Sequence, residues 1–364
     1  MIRIYARKIY FVGGIMNLGL LLGASLDFWG VAAQASLLIV GFVMLIKGAD
    51  WFVDGASMIA RKFGIPQIVI GLTIVAFGTS APEAAISITS AVKGSAGLAI
   101  GNILGSNIMN IFLILGLCAL FTPLAVQKNT LYIEIPFVVV ISSALMIMGV
   151  IGNQLGWIDG LILWLFFIAF FVYLIILSKK DKNAMPELQE SNSGEEKEEE
   201  KAQKKGVEIA KMLGKLAVGI ALVVLGSQAV VNGAKTIASG FGMSESLIGL
   251  TIVAFGTSLP ELVTSLTAAR KGEADLAIGN IVGSNIFNIL FVLGTSSLIS
   301  AIAYDSNWIT GFMIDNIMAI VAAVVLFLCI LLTKDKKLKR AGGITMLVLY
   351  AGYFAWIVAK DFIW

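Results

Sequence analysis

Ile70 to Ser80 reads IGLTIVAFGTS, and Ile248 to Ser258 reads IGLTIVAFGTS again. A second pair follows each copy: LAIGNILGSNI from Leu98 to Ile108, and LAIGNIVGSNI from Leu276 to Ile286. From Ile70 to Ile248, and from Leu98 to Leu276, the offset is 178 residues, with no gap between the blocks. Chance does not give eleven consecutive identities in one chain, and generic hydrophobicity would not fix the Gly, Thr, Ser and Asn positions. The chain is an internal duplication, and its fold follows from how the two copies are arranged.

The surroundings of the blocks are apolar. Of 364 residues, 58% are hydrophobic and 13% charged, against about a quarter charged in a soluble chain. Several runs reach the roughly 20 residues a helix needs to cross a bilayer. Ten spans are expected, near 31–52, 66–91, 98–120, 130–150, 157–178, 212–238, 246–269, 276–299, 311–332 and 342–359. A polar stretch, 179–211, contains the run Glu195 to Glu200 and divides the chain into five-span halves, 31–178 and 212–364. Its mixed charge predicts a disordered, solvated linker, and it lacks the spacing of an EF-hand. Residues 1–30 stay unassigned. Arg3, Arg7 and Lys8 before the apolar run Ile9 to Ala24 resemble a secretory signal, and an extra or extended helix fits equally.

Five is odd, so the second half enters the membrane in the opposite sense to the first. The expected fold is an all-α membrane protein of ten transmembrane helices in two inverted five-helix repeats, with broken helices carrying the ion site. If the linker is cytoplasmic, that side holds Arg61, Lys62, Lys128, Arg270, Lys271, Lys334, Lys336, Lys337, Lys339 and Arg340. The other side holds Arg3, Arg7, Lys8, Lys93 and Lys360, a bias that sets the orientation.

The blocks place a helix breaker and a charge in mid-membrane: Gly78-Thr79-Ser80-Ala81-Pro82-Glu83 and Gly256-Thr257-Ser258-Leu259-Pro260-Glu261. Each proline lacks an N–H and opposes the carbonyl four residues back, on Gly78 or Gly256. Such freed carbonyls face protein or a wet cavity and can serve as hard oxygen ligands. Glu83 and Glu261 cost several kcal/mol there unless paired or solvated. No Lys or Arg lies near either in its own helix, so a bound cation is the natural partner.

On the next helix, Asn102, Ser106 and Asn110 share one face at i, i+4, i+8, and Asn280, Ser284 and Asn288 repeat it. Gly101, Gly105, Gly279 and Gly283 would let helices approach closely. Every candidate donor is an oxygen, which suits calcium, a taker of about 6–8 oxygens. The chain has no histidine, and Cys118 and Cys329 sit in apolar runs as packing residues, so soft-metal, zinc and Ser-His-Asp chemistry are not expected. Two carboxylates balance one divalent ion or serve two or three sodium ions, and competition for them gives exchange.

GTSAPE and GTSLPE, each followed by GNI-x-GSNI, resemble the alpha repeats of the sodium/calcium exchanger family, within the cation/calcium antiporter superfamily. The likeness covers Gly48 to Gly116 and Gly226 to Gly294. It implies a secondary antiporter, not an enzyme, exchanging Ca2+ for Na+ by alternating access, in which the first and sixth helices slide against the bundle. It implies Glu83 and Glu261 as ligands shared by both ions. Thr79, Thr257, Ser80, Ser258, Ser106 and Ser284 would line the sites, with the carbonyls of Ala76 and Ala254, and Asn110 and Asn288 at the centre. Some prokaryotic members carry Asp where Asn288 stands. Proton-coupled relatives carry a His in the second motif helix, absent here, so H+/Ca2+ antiport is the alternative, with a passive cation channel behind it.

Blander readings stand beside these. A glutamate beside a proline can be a neutralised structural charge, and Asn or Ser can be helix-packing glue, most readily Asn102 and Asn280. Asp50 and Asp54 are matched by Gln228 and Asn232 and read as interfacial or structural, with Lys47 a candidate partner one turn away. Glu134, Asp159 and Asp315 read as interfacial. Expected partners are the transported ions and the lipid bilayer of a prokaryotic inner membrane, with no cofactor, no nucleic acid and an oligomeric state left open.

Overall fold

The computed structural model describes residues 28–92, 96–182, 198–240, 254–308 and 311–363. Almost all of them are helical. Helix α1 (Phe28–Phe63) is followed by the bent pair α2 (Gln67–Thr79) and α3 (Ala81–Val92). Helix α4 starts as Ala96–Met109, passes through a π-helical turn, Asn110–Leu115, and ends as Gly116–Phe121. Helices α5 (Thr130–Gly152) and α6 (Trp157–Lys182) close the first half. The second half runs α7 (Glu198–Gly240), α8 (Ala254–Thr257), α9 (Leu259–Arg270), α10, α11 (Met313–Leu331) and α12 (Arg340–Ile363). Helix α10 copies α4, with Ala274–Phe287, a π turn Asn288–Leu293 and Gly294–Ile299.

Eight helices among the described residues are long and apolar enough to cross a membrane, or nine counting α2–α3 as one broken span. The remaining expected span, 246–269, falls partly on residues 241–253, which lie outside the described ones, as do residues 1–27 of the N-terminal segment. Of the stretch expected as disordered linker, 183–197 lies outside the described residues, while α7 begins at Glu198, ahead of the span expected from 212.

Burial places α4 and α10 at the centre: 78% and 94% of their apolar windows are inside the protein, against 17–33% for the other single-helix spans. The outer helices turn apolar residues outward instead. On α6, Ile158, Leu161, Leu165, Ile168, Val172 and Ile175 are all exposed at alternating three- and four-residue steps, a stripe that hydrocarbon covers at no cost. Two small antiparallel pairings knit the halves together. Leu124–Ala125 (β1) pairs with Lys337–Leu338 (β4), and Gln154–Leu155 (β2) with Ile302–Ala303 (β3). Each pairs a strand of one half with a strand of the other.

Helices α1 and α7 pack backbone to backbone. Gly41, Gly48 and Gly55 recur every seventh residue on α1, and Gly219, Gly226 and Gly233 on α7. A Cβ on Gly48 would stand 2.8 Å from the Gly219 carbonyl oxygen, and one on Gly226 2.8 Å from that of Gly41. These glycines carry the close approach. The glycines singled out above divide: Cβ atoms on Gly279 and Gly283 would meet α2 at 2.9 Å and 2.7 Å, but at Gly105 no described residue comes within 4 Å. Close approach is thus absent at Gly105 among the described residues.

Two charge assignments change. Asp50 and Asp54 do not pair with Lys47. Lys271, in the turn between α9 and α10, reaches Asp50 and Asp54 at 2.8 Å, and Lys215 of α7 reaches Asp54 at 2.8 Å. Sequence spacing suggested a partner on the same helix, and packing supplied two from other elements. Arg61–Glu273 at 3.7 Å and Lys62–Glu208 extend the cluster at the linker end of the bundle. Glu134, near the start of α5, is fully buried in the bundle and accepts a hydrogen bond from the Tyr173 hydroxyl of α6, rather than facing headgroups or water. Asp159 accepts from the Gly156 N–H at 2.8 Å, and Asp315 from the Tyr353 hydroxyl at 2.8 Å.

Candidate cation site

The two breaks have one geometry. Ser80 stands between α2 and α3 at φ −82°, ψ 6°, and Ser258 between α8 and α9 at φ −90°, ψ 6°. The α2–α3 pair bends by 53° there. Pro82 and Pro260 occupy the second position of the helix that follows, where a missing N–H costs nothing. Glu83 and Glu261 come next, in the first turn, where the helix N-terminus favours negative charge. Each is 1% exposed.

Each glutamate is held by the opposite repeat. Ser80 Oγ donates to Glu261 Oε1 at 2.9 Å, and Ser258 Oγ donates to Glu83 Oε1 at 3.3 Å. Ser258 Oγ also lies 3.4 Å from Ser106 Oγ, and Ser284 donates to Glu261 Oε1 at 3.5 Å. The Thr257 and Thr79 hydroxyls interact with Glu83 and Glu261 respectively. Thr79 Oγ1 donates at 2.9 Å to Asn280 Oδ1, whose Nδ2 donates at 2.8 Å to Ser265 Oγ. In the first half Asn102 Nδ2 donates to Ser87 Oγ at 3.0 Å. Ala76 O accepts from the Ser80 N–H at 3.0 Å and Ala254 opens α8. One freed carbonyl is already taken: Gly256 O accepts from Ser227 Oγ at 2.7 Å, so it is satisfied by α7 rather than left open for an ion.

Where α4 and α10 cross, four asparagines join. Asn107 Nδ2 donates to the Asn285 carbonyl oxygen at 3.2 Å, and Asn285 Nδ2 to that of Asn107 at 3.1 Å. Asn110 Nδ2 donates to Asn285 Oδ1 at 3.0 Å, and Asn288 Nδ2 to Asn107 Oδ1 at 3.1 Å. Asn110 and Asn288 open the π turns of α4 and α10, a feature frequent at functional sites.

The sequence reading passed over Asn107 and Asn285, although both lie in the repeated GSNI blocks. An i, i+4, i+8 stripe looks along one helix, whereas these two residues face a second helix. Ser87, Ser265 and Ser227 were missed for the same reason.

Four oxygens here are left over. Glu83 Oε2, Glu261 Oε2, Asn110 Oδ1 and Asn288 Oδ1 are buried and have no hydrogen-bond partner. Buried polar atoms are satisfied in the large majority of cases, so four unpartnered acceptors, two on each repeat, suit a cation. Among the described residues no three His, Cys, Asp or Glu side chains group around a metal. The donor set is two carboxylates plus neutral oxygens, suited to hard ions such as Ca2+ and Na+. A cavity of about 750 Å3 between α1, α4, α7, α9 and α12 reaches Asn102 and Ser106.

Known proteins share this architecture. The family described as "Sodium/calcium exchanger protein" matches residues 33–176 and 211–359. The putative antiporter CaxA of Alkalimonas amylolytica is 41% identical over 315 residues, spanning 86% of this chain and 95% of its own length. The sodium/calcium exchanger MaX1 of Methanosarcina acetivorans is 31% identical, spanning 87% of this chain and 96% of that protein. A solved structure of the sodium-calcium exchanger NCX_Mj, soaked with 2.5 mM Na+ and 10 mM Sr2+, superposes with a TM-score of 0.73 at 33% identity, covering 89% of this chain and 99% of that one. The chain therefore belongs to the sodium/calcium exchanger family of multi-pass membrane cation antiporters.

Proposed function

We propose that the protein exchanges Ca2+ for Na+ by alternating access, with both ions competing for Glu83 and Glu261. The observation that carries this reading is the set of four buried, unpartnered oxygens on those glutamates and on Asn110 and Asn288. Two carboxylates neutralise one Ca2+, and the hydroxyls of Thr79, Ser80, Thr257, Ser258, Ser106 and Ser284 complete an oxygen shell or separate shells for Na+. The Ala76 and Ala254 carbonyls join the Na+ positions. Cross-repeat bonds from Ser80 and Ser258 tie each carboxylate to the opposite half, so movement of either half alters both ligands together. The closely packed α1–α7 pair slides as one body against the rest. The Lys and Arg bias supports a cytoplasmic linker, and the bacterial and archaeal relatives support the plasma membrane of a prokaryote.

The test is 45Ca2+ uptake into proteoliposomes at clamped pH. Uptake that requires trapped Na+ supports the reading. Uptake driven by a pH jump and indifferent to Na+ replaces it with H+/Ca2+ antiport, and uptake needing no counter-ion replaces it with a pore.

A further inference from the structure

We propose that Asn107 and Asn285 are positioning residues that turn the amide oxygens of Asn288 and Asn110, rather than their NH2 groups, toward the transported cation. The inference rests on the proposed function, since it concerns the same ion cluster.

An asparagine side chain has two nearly isosteric ends of opposite polarity. At a cation site the choice decides whether the residue attracts or repels the ion, and the residue's own shape does not make that choice. Here a fixed reference does. The backbone carbonyl of Asn285 can only accept, so the Asn107 amide must present Nδ2 to it, at 3.2 Å. Asn107 Oδ1 then faces the other way and needs a donor. Asn288 Nδ2 supplies it at 3.1 Å. With its NH2 committed, Asn288 leaves Oδ1 buried and unpartnered. The same relay runs in mirror image. The Asn107 carbonyl fixes Asn285 Nδ2 at 3.1 Å, Asn285 Oδ1 fixes Asn110 Nδ2 at 3.0 Å, and Asn110 Oδ1 is left open. Polarity thus passes from a backbone carbonyl of one repeat, through an asparagine of the other, to a ligand oxygen of the repeat it started from. All four residues are at most 1% exposed, so water does not compete for these bonds.

The relay makes a prediction that a packing role does not. An aspartate has no amide to orient. In the wild-type background, Asn288→Asp would set a carboxylate oxygen against Asn107 Oδ1, acceptor to acceptor. With Asn107→Leu, that conflict is gone and the orienting bond is no longer needed.

The experiment reads Ca2+-dependent thermal stabilisation in detergent and the apparent KM and kcat of exchange in proteoliposomes. The proteins compared are wild type, N107L, N288D, N107L/N288D and the control Asn316→Leu, a buried asparagine bonded to Tyr304 away from the site. Loss of an orienting partner of this kind costs about 10–100-fold in ion affinity. N107L and N288D are each expected to raise KM by at least about tenfold, and the double variant to recover most of that loss. N316L is expected to lower thermal stability with KM unchanged. Should N107L keep the wild-type KM, or should the double variant be worse than either single one, the relay is overturned while the antiporter reading stands. A wild type that neither Ca2+ nor Na+ stabilises or drives overturns both.

Discussion

Ser80 and Glu261 meet across the boundary between the repeats, hydroxyl to carboxylate, at 2.9 Å. Ser258 and Glu83 form the counterpart at 3.3 Å. Neither half therefore completes its own anion. Each Oε1 is taken up by the other repeat while each Oε2 stays unpartnered, so in the proposed function one oxygen of each carboxylate is structural and the other takes the ion.

That division separates two substitutions at one contact. Glu261→Gln keeps an acceptor for Ser80 but removes one of two negative charges, and 45Ca2+ exchange should be lost with folding intact. Ser80→Ala keeps the charge and loses one hydrogen bond to it. Such a bond is worth about 1.5–3 kcal/mol, so apparent Ca2+ affinity should fall by roughly tenfold or more. Equal effects from the two variants would mean that charge is not what the ion reads.

The α1–α7 contact predicts an effect from a single methyl group. A Cβ on Gly219 would lie 2.5 Å from the Phe52 nitrogen and 2.9 Å from the Gly48 carbonyl oxygen. Both are backbone atoms and cannot rotate away. Gly219→Ala should destabilise the protein by about 1–3 kcal/mol through overpacking, although alanine is the better helix former. Thermal unfolding in detergent measures it. Gly352→Ala, where no described residue lies within 4 Å, should leave the melting temperature unchanged or raise it.

Tyr173 to Glu134 links α6 to α5, and Tyr353 to Asp315 links α12 to α11, so each half ties its last two helices by a tyrosine and a carboxyl group. Glu134 is the more deeply buried acid, with Oε2 unpartnered. Tyr173→Phe removes the donor and strands the other oxygen as well, at a cost of about 1–3 kcal/mol. Glu134→Leu added to Tyr173→Phe should regain most of it, because removing both partners leaves neither end of that bond unsatisfied. If the double variant unfolds at a lower temperature than Tyr173→Phe alone, the pair stabilises by more than mutual satisfaction.

The IGLTIVAFGTS and GNI-x-GSNI duplications were legible because their polar residues are identical in both copies, and identity at Gly, Ser and Asn cannot come from hydrophobicity. The Pro82 and Pro260 breaks were legible because a missing N–H is written in one letter. Contacts between distant elements were not. Lys271 reaches Asp54 from the α9–α10 turn, and nothing in the spacing of either residue announces it. The Gly41, Gly48, Gly55 register on α1 was visible as a seven-residue rhythm, yet its meaning needed the matching rhythm on α7. Asn107 and Asn285 carried the same repeat signal as Asn110 and Asn288. A single-helix stripe excluded them, and the crossing of α4 and α10 brings them in.

Lys271 joins the α9–α10 turn to Asp50 and Asp54 of α1 at the linker end. Burial pushes its ammonium pKa down, but the bonds and charges of Asp50 and Asp54 outweigh this and hold it above the ordinary lysine value. A group with a raised pKa contributes fully below its unfolded value, about 10.4, and that contribution is lost as pH rises through the folded value. The pairing is therefore constant between about pH 6 and 9. Lys271→Ala and wild type should have parallel pH profiles of exchange in that window, and divergence there would show that another group titrates with the cluster. Loss of Lys271 should also loosen this end. Ser57 on α1 is 2% exposed, and a cysteine placed there, with Cys118 and Cys329 replaced by alanine, reports the opening. Lys271→Ala should speed its modification by a membrane-impermeant thiol reagent from the linker side several-fold. An unchanged rate would mean that helix packing alone, without the Lys271–Asp50 and Lys271–Asp54 pairs, keeps that side shut.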